Sequence, residues 1–411
     1  MKKLLQTLFF FLLVTQICFA QWYQQNSGIT EWLSSVWMID SSKVITVGSG
    51  GTILSTTDAG ATWHQKNSGT TAFLNDVYFT DSNSGTAVGD SGVILQTTDG
   101  GETWNKRTSG TDANLNAVTF TDQNIGIAVG EQSKILLTTD GGIIWEDKGT
   151  SGSSYFYDVA IVGFNTAIVV GIPFAAGPQL IIRTTDGGLS WVTLNTGTTE
   201  PLSSISFQDA IIGFVAGQNG RIMITTDGGD TWSNQVSNTN NFLLDIKLVG
   251  NNSAIAVGDN GIILHSTDMG SSWAFQSSGT NLILSGVSFA DRNNGTIVGY
   301  VGTILRTTNG GVSFVEEEEI DEIPSNYFLS NNFPNPFNPS TKIKYAVPQA
   351  SNVELQVFDI LGNEIEALVN EEKPAGTYEV TWYAENLPSG VYFYQLKAGH
   401  FISTKKMILL K

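Results

Sequence analysis

The sequence predicts an all-β protein, a seven-bladed β-propeller followed by a small immunoglobulin-like β-sandwich. Three observations predict it. One short motif recurs seven times at a nearly constant interval, and each interval holds four short strand-like runs bounded by turn residues. Beyond an acidic stretch at 316–324 the repeat stops and longer alternating runs take over.

The motif is clearest in Thr98-Asp99-Gly100-Gly101-Glu102-Thr103-Trp104. Equivalent copies place acidic residues at Asp58, Asp99, Asp140, Asp186, Asp227 and Asp268, and the last, degenerate copy has Asn309. Tryptophan closes six copies, at Trp63, Trp104, Trp145, Trp191, Trp232 and Trp273, while the seventh ends in Phe314. The acidic positions are separated by 41, 41, 46, 41, 41 and 41 residues. The single longer interval locates a five-residue insertion, which we place within 172–179.

Within one period, Val77-Tyr78-Phe79-Thr80, Gly85-Thr86-Ala87-Val88-Gly89, Val93-Ile94-Leu95-Gln96 and Trp104-Asn105-Lys106-Arg107 read as strands A, B, C and D. They are rich in β-branched and aromatic residues and separated by Gly, Asp, Asn and Ser, which favour turns. Four strands in about forty residues is the size of a propeller blade. An open solenoid would need polar capping repeats, and none is seen. Instead Trp22-Tyr23-Gln24-Gln25-Asn26 has the pattern of a D strand with no A, B or C of its own. It fits a ring whose last blade is completed by the other chain end, although Phe314 competes for the same role.

Residues 1–20 form a targeting signal. Lys2 and Lys3 precede an apolar run, and Cys18-Phe19-Ala20 ends it with Gln21 as the mature N-terminus. Bulky Ile17 argues against a lipoprotein site at Cys18. That cysteine is the only one, so the mature chain is expected to contain no disulfide or thiolate chemistry. No later apolar run is long enough to span a bilayer. Net charge is −18, which opposes nucleic-acid binding and adsorption to anionic lipid.

In a propeller the D–A and B–C connections open on one face, and the A–B and C–D turns on the other. The repeated acidic turns belong to the second face. The first face gathers the residues after each Val-Gly of strand B, namely Ser49, Asp90, Glu131, Gly171, Gln218, Asp259 and Tyr300. To these we add Phe174 in the insertion and residues leading into strand A, among them Trp32, Asp76, Tyr155, Phe156, Tyr157, Asp158 and Asp245. This mixture of acidic and aromatic groups suits a protein or glycan ligand of unknown identity. No catalytic residue, metal site or cofactor is assigned: the histidines lack metal-ligand spacing, and nothing in the sequence sets a carboxylate separation.

The repeated motif resembles the Asp box of sialidase-type propellers, with a turn-locking Asp, two Gly residues for positive φ, and a Trp between blades. Chemistry of the sialidase kind is not expected, because Arg107, Arg183, Arg221, Arg292 and Arg306 fall in strands or turns away from the funnel. The whole repeat, over 22–315, resembles the Ycf48/Hcf136 family of photosystem II assembly factors, which implies an assembly role for a membrane-protein complex. A carbohydrate-active enzyme using loop-face carboxylates is the other alternative to a binding and scaffolding propeller.

The acidic segment 316–324 reads as an extended linker. After it, 325–411 offers strands at 342–347, 353–358, 377–383, 391–396 and 405–410. The matches Phe333-Pro334-Asn335-Pro336, Val357-Phe358-Asp359-Ile360-Leu361-Gly362, Leu387-Pro388-Ser389-Gly390-Val391-Tyr392 and Lys405-Lys406-Met407 resemble the type A sorting domain of type IX secretion. That resemblance implies recognition by an outer-membrane translocon. It also implies removal by a sortase, and delivery to the surface or exterior of a Gram-negative cell.

Overall fold

The computed structural model describes residues 21–150, 152–163, 165–173, 180–194, 197–250, 252–311, 326–332 and 334–411. They form two compact units, taken separately below.

The first unit is a ring of seven four-stranded antiparallel sheets. Strand A of each blade is innermost: Leu33–Met38, Leu74–Phe79, Leu115–Phe120, Tyr155–Gly163, Leu202–Phe207, Leu243–Val249 and Leu284–Phe289. Blades 1–6 run A, B, C, D in sequence order. Blade 7 takes its fourth strand from the other end of the propeller: Tyr23–Gln25 pairs antiparallel with Ile304–Thr307, Tyr23 opposite Arg306. The N-terminal segment thus supplies the closing strand; Phe314 lies outside the described residues. So do the targeting signal, the acidic linker and Phe174.

Every B strand is buried along its length except at its first residue in blades 4 and 6 and its last in blade 4, so it does not show the alternation of a half-buried strand. Seven apolar clusters fill the blade interfaces. Between blades 1 and 2, for example, Ile45, Val47 and Ile53 pack against Leu74, Val77, Phe79 and Trp104. The closing interface between blades 7 and 1 uses Leu33, Val36, Met38, Val298 and Ile304.

The glycine at the end of each B strand, or one residue before it in blade 4, has a steric cause. A β-carbon on Gly48, Gly89, Gly130, Gly171, Gly217, Gly258 or Gly299 would sit 1.9–2.2 Å from the carbonyl oxygen of the residue leading into strand A of its own blade. Backbone carbonyls cannot move aside as side chains do, so only glycine fits.

The acidic turns are self-contained. In blade 2, Thr97 Oγ1 donates to Asp99 Oδ1 (2.7 Å) while Thr103 donates through Oγ1 to Oδ2 (2.6 Å) and through its N–H to Oδ1 (2.9 Å). The Gly101 N–H closes the loop onto Thr97 Oγ1 at 2.9 Å. These donors, Thr103 first, bring the Asp99 carboxyl down to about 2, as equivalent donors do for Asp186 and Asp227. Asp58 and Asp268 are lowered in the same way, and Asp140, whose copy has Ile144 in place of the donor hydroxyl, chiefly by the Ile144 N–H.

Blade 7 lacks a closing tryptophan of its own among the described residues, and Trp22 stands in its place. Its ring meets Phe289 edge-on at 5.9 Å, as Trp104 meets Phe79 at 6.1 Å. It is 3% exposed, and its indole N–H donates to Gln276 Oε1 at 2.7 Å. A second clamp is Arg306, 1% exposed, whose guanidinium reaches from blade 7 to the Ser41 carbonyl (2.7 Å) and Met38 Sδ (3.2 Å) in blade 1.

The second unit is a sandwich. One sheet is ordered Phe328–Leu329, Ser340–Val347, Gly376–Tyr383; the other is Glu364–Lys373, Ser351–Phe358, Gly390–Ala398, Phe401–Leu409. Between them Tyr345, Leu355, Trp382, Tyr394 and Met407 are buried. Glu364–Lys373 and Phe328–Leu329 are absent from the five strands expected from sequence. The first is an edge strand whose charged residues hide its pleat, a usual way to keep an edge from pairing. Phe337, in the Pro/Asn-rich segment, is buried in this core and exchanges backbone hydrogen bonds with Ile408 and Leu410 (both 3.0 Å).

Because Trp22 fills an interface core, Trp22→Ala is expected to lower propeller stability by about 3–5 kcal/mol. Urea denaturation followed by tryptophan fluorescence measures this, and an unchanged midpoint would show that the ring closes without it.

Candidate functional site

The inner strands create the site. Each carries a bulge near its start, as between Leu74 and Asp76 or, in blade 4, between Phe156 and Asp158. The bulge turns consecutive side chains toward the ring axis. Around the axis they enclose a cavity of about 660 Å³. The residues just after the bulge of each inner strand are Ser35, Asp76, Ala117, Asp158, Ser204, Asp245 and Gly286, so carboxylates recur in blades 2, 4 and 6.

Those carboxylates stitch neighbouring blades. Asp76 Oδ1 accepts the Ser35 hydroxyl of blade 1 (2.7 Å), and Oδ2 accepts the Val118 N–H of blade 3 (2.9 Å). Asp158 Oδ2 takes the Ile205 N–H of blade 5, and Asp245 Oδ2 takes the Val287 N–H of blade 7, both at 2.8 Å. One position earlier, Ser34, Asn75, Asn116 and Ser203 donate side-chain hydrogen bonds to the first inner-strand carbonyl of the following blade. The expectation that Asp76, Tyr157, Asp158 and Asp245 belong to the loops is therefore corrected. They lie within strand A, which begins before its most apolar residues, and they face the channel.

Lys247 completes the cluster, two residues beyond Asp245 on the same face, with Nζ 3.7 Å from Asp245 Oδ1. Burial works against its charge, but Asp245, Asp158 and Asp76 together outweigh that and hold the amine above the usual lysine range. Burial pushes the Asp158 carboxyl up to about 7; Asp76 and Asp245 add to the rise, while Lys247 and the Ile205 N–H oppose it. Asp76 is also raised, again mainly by burial. Geometry agrees: Ser204 Oγ lies 3.0 Å from Asp158 Oδ2 and 2.8 Å from Asp245 Oδ1. One hydroxyl hydrogen cannot serve both, and a proton on Asp158 supplies the second bond.

The channel opens on the loop face through a mouth built from the residues preceding each inner strand: Trp32, Phe73, Asn114, Tyr155, Pro201, Phe242 and Ile283. (In blade 4, Tyr155 is itself the first strand residue.) Six carbonyls of this ring accept the N–H of the residue that follows strand B, at 2.8–2.9 Å: Ser49, Asp90, Glu131, Gln218, Asp259 and Tyr300. Those loop residues thus occupy equivalent places in their blades. Asp90 Oδ1 takes an amide hydrogen of Asn75 (3.0 Å), and Glu131 Oε1 one of Asn114 (3.3 Å). Of the arginines, Arg221 stands at the lead-in to strand C, paired with Glu200, and Arg183 pairs with Asp230. No group of three or more His, Cys, Asp or Glu among the described residues is arranged to hold a metal.

Three overlapping stretches, 68–117, 109–201 and 190–282, match the family described as photosynthesis system II assembly factor YCF48, and together they cover more than half of the chain. The chain belongs to the YCF48 family. Residues 331–410 match a secretion system C-terminal sorting domain. Such a domain directs type IX export to the cell surface or beyond, and no helix among the described residues is long and apolar enough to cross a membrane. No curated protein matches.

Solved structures share the fold. A YCF48 bound to D1 peptide has 20% identity and a TM-score of 0.60, covering 71% of this chain and 98% of that one. YCF48 from Cyanidioschyzon merolae has 21% identity and a TM-score of 0.59 (70% and 98%). PorZ, a surface component of the type IX secretion system of Porphyromonas gingivalis, has 12% identity and a TM-score of 0.52 (92% and 59%). The chain therefore spans about three-fifths of PorZ.

The raised Asp158 carboxyl sets a pH dependence. Below about pH 4 the group is protonated in both folded and unfolded chains, and up to about 7 only the folded chain keeps the proton. Its contribution to stability falls as pH rises through that window. Asp76 slopes the same way. Asp158→Asn keeps an acceptor for the Ile205 N–H without the titration. Urea unfolding at pH 5 and pH 8 should show a smaller loss for Asp158→Asn than for the native chain. An identical loss would mean that Asp158 does not carry the proton.

Proposed function

We propose that this chain is a non-catalytic binding and scaffolding propeller, exported by its sorting domain and displayed on the cell or released, where its loop face takes a segment of another protein. The observation that carries this reading is the mouth, where aromatic and apolar side chains ring an opening whose floor is already bonded. Both oxygens of Asp76, Asp158 and Asp245 accept hydrogen bonds from the protein itself. A general acid or base must exchange its proton with a ligand, and committed carboxylates are poorly placed for that. This favours binding over glycoside hydrolysis, and the acidic turns, bonded within themselves, read as hairpin locks.

The family relationship favours a second, compatible reading, in which the propeller helps assemble a membrane-protein complex. The related YCF48 bound to D1 peptide supports a peptide as the ligand class. Under both readings the sorting domain puts the partner outside the cytoplasm, with translocon and sortase as partners of 325–411.

Export is tested by expressing the full chain and a version lacking 325–411 in a host with type IX secretion. Protease treatment of intact cells should digest the full chain, or it should appear in the medium, whereas the shortened chain stays protected in the periplasm. A surface-exposed shortened chain would refute the sorting assignment. Turnover of an oligosaccharide panel by the full chain, lost in Asp245→Asn, would replace the binding reading with the enzymatic one.

A further inference from the structure

The B–C turns of blades 1, 2, 5, 6 and 7 share one backbone shape, a short 3-10 turn whose middle residue is left-handed. In four blades that residue is Gly50 (φ 66), Ser91 (φ 55), Asn219 (φ 57) or Asn260 (φ 57). In blade 7 it is Val301, at φ 56. A β-branched side chain is among the worst choices for this conformation, and such strain persists where the surroundings enforce it, often at functional sites. Here burial does not compensate. Val301 is 42% exposed and its neighbour Tyr300 46%.

Tyr300 and Val301 border an aromatic row that crosses three blades. The Tyr300 ring meets Trp32 edge-on at 5.7 Å, and Trp32 meets Phe73 in the same manner at 5.7 Å. The Trp32 indole N–H is fixed on the Ser285 hydroxyl at 2.6 Å. Leu282, also exposed, lies in the connection leading into strand A of blade 7. The loop-face connections of blades 6, 7, 1 and 2 (238–244, 259–262, 279–285, 300–303, 28–34, 49–52, 69–75 and 90–93) contain Glu31, Asp90 and Asp259 and no Lys, Arg or His.

Resting on the binding reading above, we propose that Tyr300, Val301, Trp32 and Phe73 form the docking site for an extended partner segment. That segment carries an apolar or aromatic side chain next to Lys or Arg. The apolar side chain covers the strained valine and the aromatic row, and the basic group meets the acidic rim. Val301 offers no hydrogen bond to a sugar hydroxyl, and the acidic rim repels an anionic membrane.

The test uses the full mature chain and two fluorescein-labelled dodecapeptides of Gly and Ser. Each has a central Trp-Leu pair, flanked by two Lys in one and two Glu in the other. Fluorescence anisotropy should show the Lys peptide binding at least about tenfold tighter than the Glu peptide, with that preference shrinking at high salt. Tyr300→Ser and Val301→Asn should each weaken the Lys peptide about tenfold. Val301→Asn should also raise the Tm by roughly 2–4 °C, since asparagine tolerates this turn in two other blades. Equal binding of the Lys peptide to all three proteins would overturn this site and leave the binding reading standing. Preference for the Glu peptide or for cello-oligosaccharides, or self-association lost in Val301→Asn, would overturn the ligand class. No binding by any probe would refute both readings, and an unraised Tm would remove the strain argument.

Discussion

A propeller blade without its fourth strand leaves its outer edge open, and here the strand that completes blade 7 is held noncovalently from the other end of the propeller. Three residues of backbone pairing, one buried indole and one buried guanidinium hold blade 7 to the rest. Everything else in the propeller assumes that closure. The inner strands converge on one axis because seven wedges fill the circle, and the mouth is round because the lead-in of each blade is fixed to its own strand B in the same way. Were blade 7 left with three strands, its apolar interfaces with blades 6 and 1 would open to water.

The inner ring shows how a repeat can be both regular and particular. Side chains at one position bond to the next blade through serine or asparagine, and those at the following position do so through aspartate in alternate blades. Three acids converging near an axis repel one another, and Lys247 with one retained proton relieves that repulsion. The balance is local: Lys247 occurs in blade 6 alone, where the equivalent position elsewhere is Trp37, Tyr78, Thr119, Ala160, Ser206 or Ser288.

Much of the fold was legible because its period is almost exact. A spacing of 41 locates blades, strand order and acidic turns, and the solitary D-like segment at Trp22 marks one of two candidates for the closing strand, between which the sequence does not choose. The inner residues were harder. Asp76, Asp158 and Asp245 are acids near the start of strand A and look like lead-in residues until the bulge places them within the strand. Lys247 interrupts a repeat only once, and arginine at the Arg306 position recurs only as Arg183, so no regular period marks either residue. Val301 looks ordinary in sequence. It becomes anomalous only beside Gly50, Ser91, Asn219 and Asn260, once all five are known to share a left-handed conformation. In the sandwich, Glu364–Lys373 escaped notice because an edge strand with bulges and many acids loses the alternation that betrays a pleat.

The position of the closing strand has a kinetic consequence. Trp22 meets Gln276 across 254 residues of chain, and Tyr23 pairs with Arg306 across still more. Six blades can condense from local hairpins as they emerge, but the seventh waits for the first-made segment to find the last. Contacts of such high order are slow to form and, once formed, slow to undo. An exported chain thus assembles its wheel late, in a single sealing step, and gains a barrier against unravelling once it is outside the cell.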